Sequence, residues 1–142
     1  MTSSKKHKAT ISIPSRTDRL SDVREFVMTH AQSHGFAEDD INKITLAVDE
    51  ACTNIIKHGY KFSPDFTIDI DVYHNGKQFE ITISDRGKRF DPNNVEVPDM
   101  KEYLSHYRRG GLGIYLMKRI MDTVEFNFTS DHNILRMVKT LQ

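Results

Sequence analysis

The stretch LAVDEACTNIIKHGY, residues 46–60, does most to decide the fold of this chain. It continues a predicted helix that begins near Glu38 and ends near His58, and its apolar positions recur at helical spacing. Glu50 and Asn54 lie one turn apart, so they are neighbours on a face that points away from the apolar stripe, at about 100° per residue. The stripe consists of Ile41, Ile44, Val48, Ala51, Cys52 and Ile55.

The second face of this helix carries side chains with useful chemistry. The amide oxygen of Asn54 is a suitable hard ligand for magnesium, and the carboxylate of Glu50 can accept a proton. Leu46 and Ala47 share the face, so it is not simply a solvated surface. An exposed polar pair on an amphipathic helix is the alternative, and Lys57 and His58 equally fit the negative end of the helix dipole. The helix alone leaves both interpretations open.

The elements around this helix follow from periodicity and from turn residues. Pro14 ends the first strand and makes it a leading or edge strand, because proline cannot donate to a sheet ladder. Gly35 ends the first helix, and Asn75-Gly76 provides a two-residue hairpin turn. Their order predicts an α+β two-layer sandwich, in which a mainly antiparallel sheet has helices packed on one face. The predicted elements are strand 9–14, helix 17–34, helix 38–58, strands 66–72 and 79–83, helix 111–122, and strands 124–128 and 134–141.

Asp85 ends an otherwise apolar strand, within the segment SDRGKRF at residues 84–90. A carboxylate at that depth needs a hydrogen-bond donor, and the exocyclic amine of adenine is such a donor. Gly87 has no side chain, which lets the backbone come close to a base. An ordinary Asp-x-Gly turn is the alternative, and the segment in isolation favours it.

A glycine cluster, RRGGLG at residues 108–113, stands directly before the last predicted helix. Backbone amides in such a segment can close around phosphate oxygens, and the helix dipole adds attraction. Arg108 and Arg109 can clamp terminal phosphates, whereas a flexible hinge is the alternative. The preceding residues, 91–110, lack periodicity and are longer than an ordinary connection, which is typical of a lid.

The order, element types and spacing of these three sites resemble the GHKL ATPase superfamily, and most closely its small bacterial branch of anti-sigma factor serine kinases. The resemblance covers nearly the whole chain, from the first strand to Leu141, and it implies a Bergerat-type ATP-binding fold. One position departs from the broader Asp-x-Gly-x-Gly pattern. Arg89 stands at the second glycine, which leaves the path of the lid open there. The matching residues are Glu50 and Asn54 for the Glu-x-x-x-Asn box, Asp85 and Gly87 for the Asp-x-Gly box, and Gly111 and Gly113 for the later glycine box.

The resemblance also implies a role for individual residues. Asn54 is expected to bind Mg²⁺, Asp85 to recognise adenine, and Glu50 to act as the catalytic base. Arg109 falls where kinases of the family carry an arginine that can reach the γ-phosphate, so it is expected to bind ATP and to take part in catalysis. The expected nucleotide-binding set is completed by Lys57, His58, Gly87, Phe90, Gly110, Gly111, Leu112 and Gly113.

The resulting hypothesis is an ATP-dependent serine kinase that phosphorylates a small STAS-type anti-anti-sigma factor. By the same resemblance, it is expected to form homodimers and to bind a sigma factor when that antagonist is phosphorylated. Transfer to water would make it an ATPase instead, and a non-catalytic, ATP-gated binding module for another signalling target is the alternative. Retention of Glu50 favours catalysis, because a module that only binds ATP needs no base. The chain has no GxxxxGK[ST], HRD or DFG signature, which disfavours P-loop and eukaryotic-type kinase mechanisms.

Composition sets the remaining limits. The 142 residues fit one domain, of which residues 1–8 are expected to be a frayed tail. The 20 basic and 20 acidic side chains balance, which argues against nucleic acid or an anionic membrane as a partner. No apolar run approaches the ~18 residues that span a bilayer, so a cytoplasmic location is expected. The single cysteine, Cys52, excludes an internal disulfide, and the seven histidines show no metal-ligand spacing.

Overall fold

The computed structural model describes residues 7–87 and 111–142. The elements in these ranges are β1 (His7–Pro14), α1 (Leu20–His34), α2 (Glu38–Asn54), β2 (Thr67–Asn75), β3 (Gln78–Asp85), α3 (Gly111–Ile120), β4 (Thr123–Phe128) and β5 (Asn133–Thr140). The five strands form one antiparallel sheet in the order β1-β2-β3-β5-β4. This architecture confirms the predicted α+β sandwich and places β1 at an edge. No helix in the described ranges is both long and apolar enough to cross a bilayer.

Alternation along the central strands builds the core between sheet and helices. Every second residue is buried from Ile68 to Val72 on β2 and from Phe79 to Asp85 on β3, as the period of a strand with one covered face requires. Burying one such side chain contributes about 1.5–3 kcal/mol relative to leaving it exposed. The fully buried residues of β2 and β3 are Ile68, Ile70, Val72, Phe79, Ile81 and Ile83, and the helices cover them with Val23, Val27, Ala31, Ile44, Ala47 and Val48.

The first strand is longer than its apolar pattern predicts. β1 already begins at His7, so the predicted tail of residues 1–8 is too long by two residues. Lys8 pairs in register with Tyr73, and its Nζ lies 3.9 Å from a carboxylate oxygen of Asp71. A cross-strand ion pair of this kind stabilises the pairing of β1 with β2 at a position that has no apolar side chain. Residues 1–6 lie outside the described residues.

The hairpin between β2 and β3 turns at Gly76-Lys77, one residue later than predicted. Asn75 still belongs to β2 and pairs with Gln78 on β3. Gly76 has a φ of 61°, in the left-handed region that glycine enters without steric cost. Glycine at the first of the two turn residues is the pattern of type II′ turns.

Three histidines that are far apart in sequence meet between α1 and β2. The Nδ1 atoms of His34 and His74 lie 3.0 Å apart, and His74 Nε2 lies 3.3 Å from His30 Nδ1. The rings of Phe36 and Phe79 each lie 5.4 Å from the His34 ring. Within residues 7–87 and 111–142, no three histidine, cysteine or acidic side chains are arranged to hold a metal ion. The cluster joins α1 to the sheet through ring packing and hydrogen bonds.

Candidate functional site

The helix of the Glu-x-x-x-Asn box changes its winding directly after Asn54. α2 ends at that residue, and a π-helix continues over Ile55–Gly59. A hydrogen bond of 2.8 Å from the Tyr60 N–H to the Ile55 carbonyl oxygen closes the wider turn. Short π-helical turns are rare and frequently occur at functional sites. Here the wider turn carries Gly59 to the end of β3.

Gly87 packs directly on the backbone of Gly59. A Cβ atom added to Gly87 would lie 2.6 Å from the carbonyl carbon of Gly59 and 2.8 Å from its Cα, which is closer than real contacts allow. The sequence analysis predicted that residue 87 is glycine so that a nucleotide base can come close to the backbone. In the structure, the close contact with Gly59 on the π-helix already requires a glycine at this position. Its contact with a nucleotide stays a prediction. The two boxes are therefore held together at a pair of glycines.

Asp85 is a buried carboxylate whose two oxygens have different surroundings. The residue is 8% exposed, and its Oδ1 accepts hydrogen bonds from the Gly87 N–H at 2.7 Å and from Asn133 Nδ2 at 3.0 Å. The same Asn133 amide also donates to the Gly87 carbonyl oxygen at 2.9 Å. Among the described residues, no donor contacts Oδ2 of Asp85. This oxygen is therefore available to a donor on a ligand that enters the site.

A pocket opens at this end of the molecule, between α2, α3 and strands β3, β5 and β4. It brings together Asn54 and Asp85, which the sequence analysis had assigned to one site, and it adds Asn133. An apolar wall with a few polar groups is typical of small-molecule sites. The apolar and backbone lining is formed by Ala51, Ile55, Gly59, Met117, Phe126, Phe128, Ile134 and Leu135.

Glu50 lies one helical turn before Asn54 and is half-buried, and it does not line the pocket formed by the described residues. Burial raises the pKa of its carboxyl group above the ordinary glutamate value, the negative charge of Asp49 raises that pKa further, and Lys57 opposes the shift. Within the described part of the chain, Glu50 makes no hydrogen bond and no ion pair. A carboxylate with a raised pKa and no internal partner is suited to accept a proton from a substrate.

The other predicted site residues divide into two groups. Lys57 and His58 lie on the π-helix but do not line the pocket formed by the described residues, so their contact with a nucleotide stays a prediction. For the glycine box the structure describes only the backbone, and residues 111–113 form the first turn of α3, which confirms that the box opens a helix. The predicted site residues that lie outside the described residues are Arg89, Phe90, Arg109 and Gly110, together with the predicted lid at 91–110.

The sequence analysis missed three residues that build the site. Gly59 meets Gly87, and Asn133 holds Asp85. Tyr60 accepts a hydrogen bond from the Arg86 N–H and donates one to the Thr67 carbonyl oxygen, each of 2.8 Å. Of these three, only Asn133 could have been suspected from the sequence, because it stands directly before a predicted strand. Locating it required the register, in which Asp85 and Asn133 are direct partners.

Comparison with known proteins shows the family to which the chain belongs. A family model described as a histidine kinase-like ATPase domain matches residues 13–139, a range that includes the whole pocket. The chain belongs to this family of ATPase domains. This ATPase domain is 32% identical over 140 residues to proteins named serine-protein kinase RsbW from Bacillus thuringiensis (strain Al Hakam) and Bacillus cereus (strain AH820). The match covers 95% of this chain and 86% of each relative.

Solved structures share the fold of this ATPase domain at low sequence identity. The RsbU and RsbW domains of a Mycobacterium tuberculosis protein match with a TM-score of 0.69 and 14% identity, over 95% of this chain and 32% of that one. The SiaB–SiaC complex of Pseudomonas aeruginosa matches with a TM-score of 0.63 and 11% identity, over 92% of this chain and 88% of that one. Both likenesses confirm the expected fold.

Proposed function

We propose that this ATPase domain is an ATP-dependent serine-protein kinase that phosphorylates a STAS-domain antagonist in an anti-sigma partner-switching pathway. One observation carries the proposal. Asp85 is buried in an apolar pocket with one carboxylate oxygen lacking a donor among the described residues, and Asn54 lines the same pocket one turn after Glu50. The relatives named serine-protein kinase RsbW, which match 95% of the chain, support the kinase class.

Adenine fits the polar end of this pocket through its exocyclic amine. The amine would donate to Oδ2 of Asp85 and leave the two hydrogen bonds at Oδ1 intact. The apolar walls, among them Met117 and Phe126, suit the flat faces of the ring. Guanine has a carbonyl oxygen where adenine has the amine, so two acceptors would face each other. The pocket is therefore expected to prefer ATP to GTP.

Asn54 and the start of α3 are suited to the phosphate end of the nucleotide. The Asn54 side chain lines the pocket and has no hydrogen-bond partner among the described residues, and amide oxygens are hard ligands that Mg²⁺ accepts. When bound, Mg²⁺ neutralises the negative charge that develops on the phosphates during transfer. Backbone N–H groups at a helix start such as Gly111 attract phosphate oxygens. Arg109 is expected to reach the γ-phosphate from the preceding segment.

Glu50 is the group expected to take the proton in the transfer step. The serine oxygen of the antagonist forms a bond to the γ-phosphorus, and the bond from that phosphorus to the oxygen shared with the β-phosphate breaks, which releases ADP. The proton of the serine hydroxyl passes to the Glu50 carboxylate. The raised pKa of Glu50 makes it a stronger proton acceptor than an exposed glutamate.

The partner side of the proposal rests on the family resemblance. It comprises a STAS-domain substrate, a sigma factor bound when that substrate is phosphorylated, a homodimer and a cytoplasmic location. Residues 91–110 are the proposed lid between nucleotide and partner. The balanced charge of the chain, with 20 basic and 20 acidic side chains, is consistent with protein partners.

Intact-mass spectrometry of a purified STAS-domain partner, incubated with the protein and Mg·ATP, tests the proposal. The expected result is the addition of one phosphate to the partner, which is lost when the modified serine is changed to alanine. A partner that binds only in the presence of ATP, but never gains a phosphate, would instead identify a nucleotide-gated binding module. Absence of ATP binding would overturn the assignment of the pocket.

A further inference from the structure

A charged pair joins α1 to α2 beside Glu50. Arg24 on α1 donates a hydrogen bond from its Nη1 to Oδ1 of Asp49 at a distance of 2.6 Å. The side chains are 43% and 27% exposed, so the pair lies partly inside the helix interface. Asp49 directly precedes Glu50 in α2, which brings the acidic half of the pair next to the proposed base.

We propose that Arg24 and Asp49 are positioning residues for phosphoryl transfer, in which their ion pair between α1 and α2 holds the helix segment that carries Glu50 and sets the charge beside it. This inference rests on the proposed role of Glu50 as the base. Neither residue lines the pocket formed by the described residues, so neither is expected to touch ATP. Their effect reaches the reaction through the charge and orientation of the helix segment that carries Glu50.

The charges around Glu50 explain why such a pair is useful. Within the described residues, the charged groups that act on the Glu50 carboxyl are Asp49 on α2 and Lys57 on the π-helix that follows it. From α1 the neighbouring charge is Arg24, held on Asp49, and the charges that α3 carries in its last turn are Lys118 and Arg119. A carboxylate beside a base makes proton uptake more favourable, and a cation bound to that carboxylate weakens its field.

The balance matters because a general base must satisfy two opposing demands. A more basic carboxylate removes the serine proton more readily, but it is protonated, and so inactive, over a wider pH range. Asp49 without its cation would push Glu50 toward protonation. Arg24 fixes the position of Asp49 and weakens the electric field of Asp49 at Glu50. Glu50 is then more basic than an isolated glutamate and still ionised near neutral pH.

Two isosteric variants, Asp49→Asn and Arg24→Gln, separate these effects. The Glu50 carboxyl would be titrated by NMR with ¹³C-labelled glutamate, and single-turnover transfer would be followed across the same pH range. Asp49→Asn is expected to move the Glu50 midpoint to lower pH and to increase transfer about threefold on the acidic limb, where ionisation limits the rate. Arg24→Gln is expected to move both quantities in the opposite direction.

The double variant provides the decisive comparison. Because Arg24 acts through Asp49, the double variant should behave like Asp49→Asn alone, which is a non-additive result. Arg19→Gln is the matched control, since the ion pair of Arg19 among the described residues is with Asp22, three residues along the chain, at 2.9 Å. That control should leave the midpoint and the pH profile unchanged, and thermal unfolding of each variant would verify that it folds.

The possible outcomes distinguish failure of this inference from failure of the proposed function. An unchanged Glu50 midpoint in both single variants would overturn the inference, whatever the transfer rates. Midpoints that move while the acidic limb of the rate stays fixed would show that Glu50 is not the base, which overturns both the proposed mechanism and the role of the pair in it. Additive shifts in the double variant would show that Arg24 acts independently of Asp49.

Discussion

Two carboxylates with incomplete partners define the site at the scale of single residues. Asp85 has both of its described donors on Oδ1, and Glu50 has no hydrogen-bond partner in the described part of the chain. Buried or half-buried polar groups in this condition reduce stability unless a ligand satisfies them. For Glu50, burial raises the pKa of the carboxyl group, so the environment that suits it to accept a proton also costs folding free energy when the group is ionised.

Glu50→Gln is expected to stabilise the protein at neutral pH. The pKa of Glu50 is raised in the folded state, so ionising it costs folding free energy at any pH above the ordinary glutamate value. The stabilisation by glutamine should therefore be largest above the raised pKa and should vanish below about pH 4, where the carboxyl is protonated in both folded and unfolded chains. Thermal unfolding over this range, with the exposed Glu25→Gln as control, would measure it. A variant less stable than wild type at neutral pH would contradict the assignment.

Gly87→Ala and Gly59→Ala form a matched pair at the glycine contact. A Cβ on Gly87 would lie 2.6 Å from the backbone of Gly59, whereas a Cβ on Gly59 would meet its nearest atoms at 3.7 Å. We expect Gly87→Ala to cost about 1–3 kcal/mol through forced backbone movement. Gly59→Ala should be nearly neutral. Denaturant unfolding measures the difference, and equal costs in the two variants would refute the packing argument.

At the scale of secondary-structure elements, the pairing of β3 with β5 and the π-helix after α2 build the pocket. The strand register places Asn133 opposite Asp85, and the wide turn of the π-helix places Gly59 against Gly87. The hydrogen-bond donors that hold the Asp85 carboxylate thus come from two separate segments of the chain. Substitutions in β5 are therefore expected to affect nucleotide binding, although that strand contains none of the three boxes.

Asn133→Ala is expected to weaken ATP binding about tenfold. The Asp85 carboxylate would lose one of its two described donors, and the Gly87 carbonyl oxygen would lose a hydrogen bond. Leaving a buried polar group unsatisfied costs about 1–3 kcal/mol. Isothermal titration with Mg·ATP would measure the change. Asn127→Ala is the matched control, since Asn127 lies exposed on the neighbouring strand β4. Equal affinity of Asn133→Ala and wild type would remove Asn133 from the site.

At the scale of the whole molecule, sequence patterns predicted most of the fold, because each pattern has a local cause. Alternation along β2 and β3, the stripe on α2 and the glycine after α1 each act over a few residues. The errors were also local. Lys8 belongs to β1 and not to the predicted tail, because it forms an ion pair with Asp71 on β2. The hairpin turns one residue later than the Asn75-Gly76 pair predicted.

The candidate site was predictable only in part, because some of its contacts depend on pairs distant in sequence. The Glu-x-x-x-Asn and Asp-x-Gly boxes identified Asn54 and Asp85, and the pocket brings both together. The Gly59–Gly87 contact and the Asn133 hydrogen bonds involve segments whose packing no local pattern specifies. The π-helix was also unforeseen, because its sequence IIKHG continues the helical pattern without a break.

Mg·ATP is expected to stabilise the whole molecule, because it binds the folded chain and not the unfolded one. At 100 times its dissociation constant, the free energy of unfolding should rise by about 2.7 kcal/mol. Since Asn54 is the proposed Mg²⁺ ligand, Mg·ATP should stabilise Asn54→Ala no more than ATP in EDTA stabilises the wild type. Thermal unfolding with ATP, in Mg²⁺ and in EDTA, would test this. An undiminished Mg²⁺-dependent shift in the variant would exclude Asn54 as the ligand.

The central claim is that one pocket both binds ATP and supports transfer of its γ-phosphate to a partner serine. Single-turnover transfer of labelled γ-phosphate to a STAS-domain partner, in wild type and in Glu50→Gln with ATP affinity measured on the same samples, tests it most directly. The account predicts similar ATP affinity in both proteins and a loss of transfer of at least about a hundredfold in the variant. Transfer at the wild-type rate in Glu50→Gln would contradict the account.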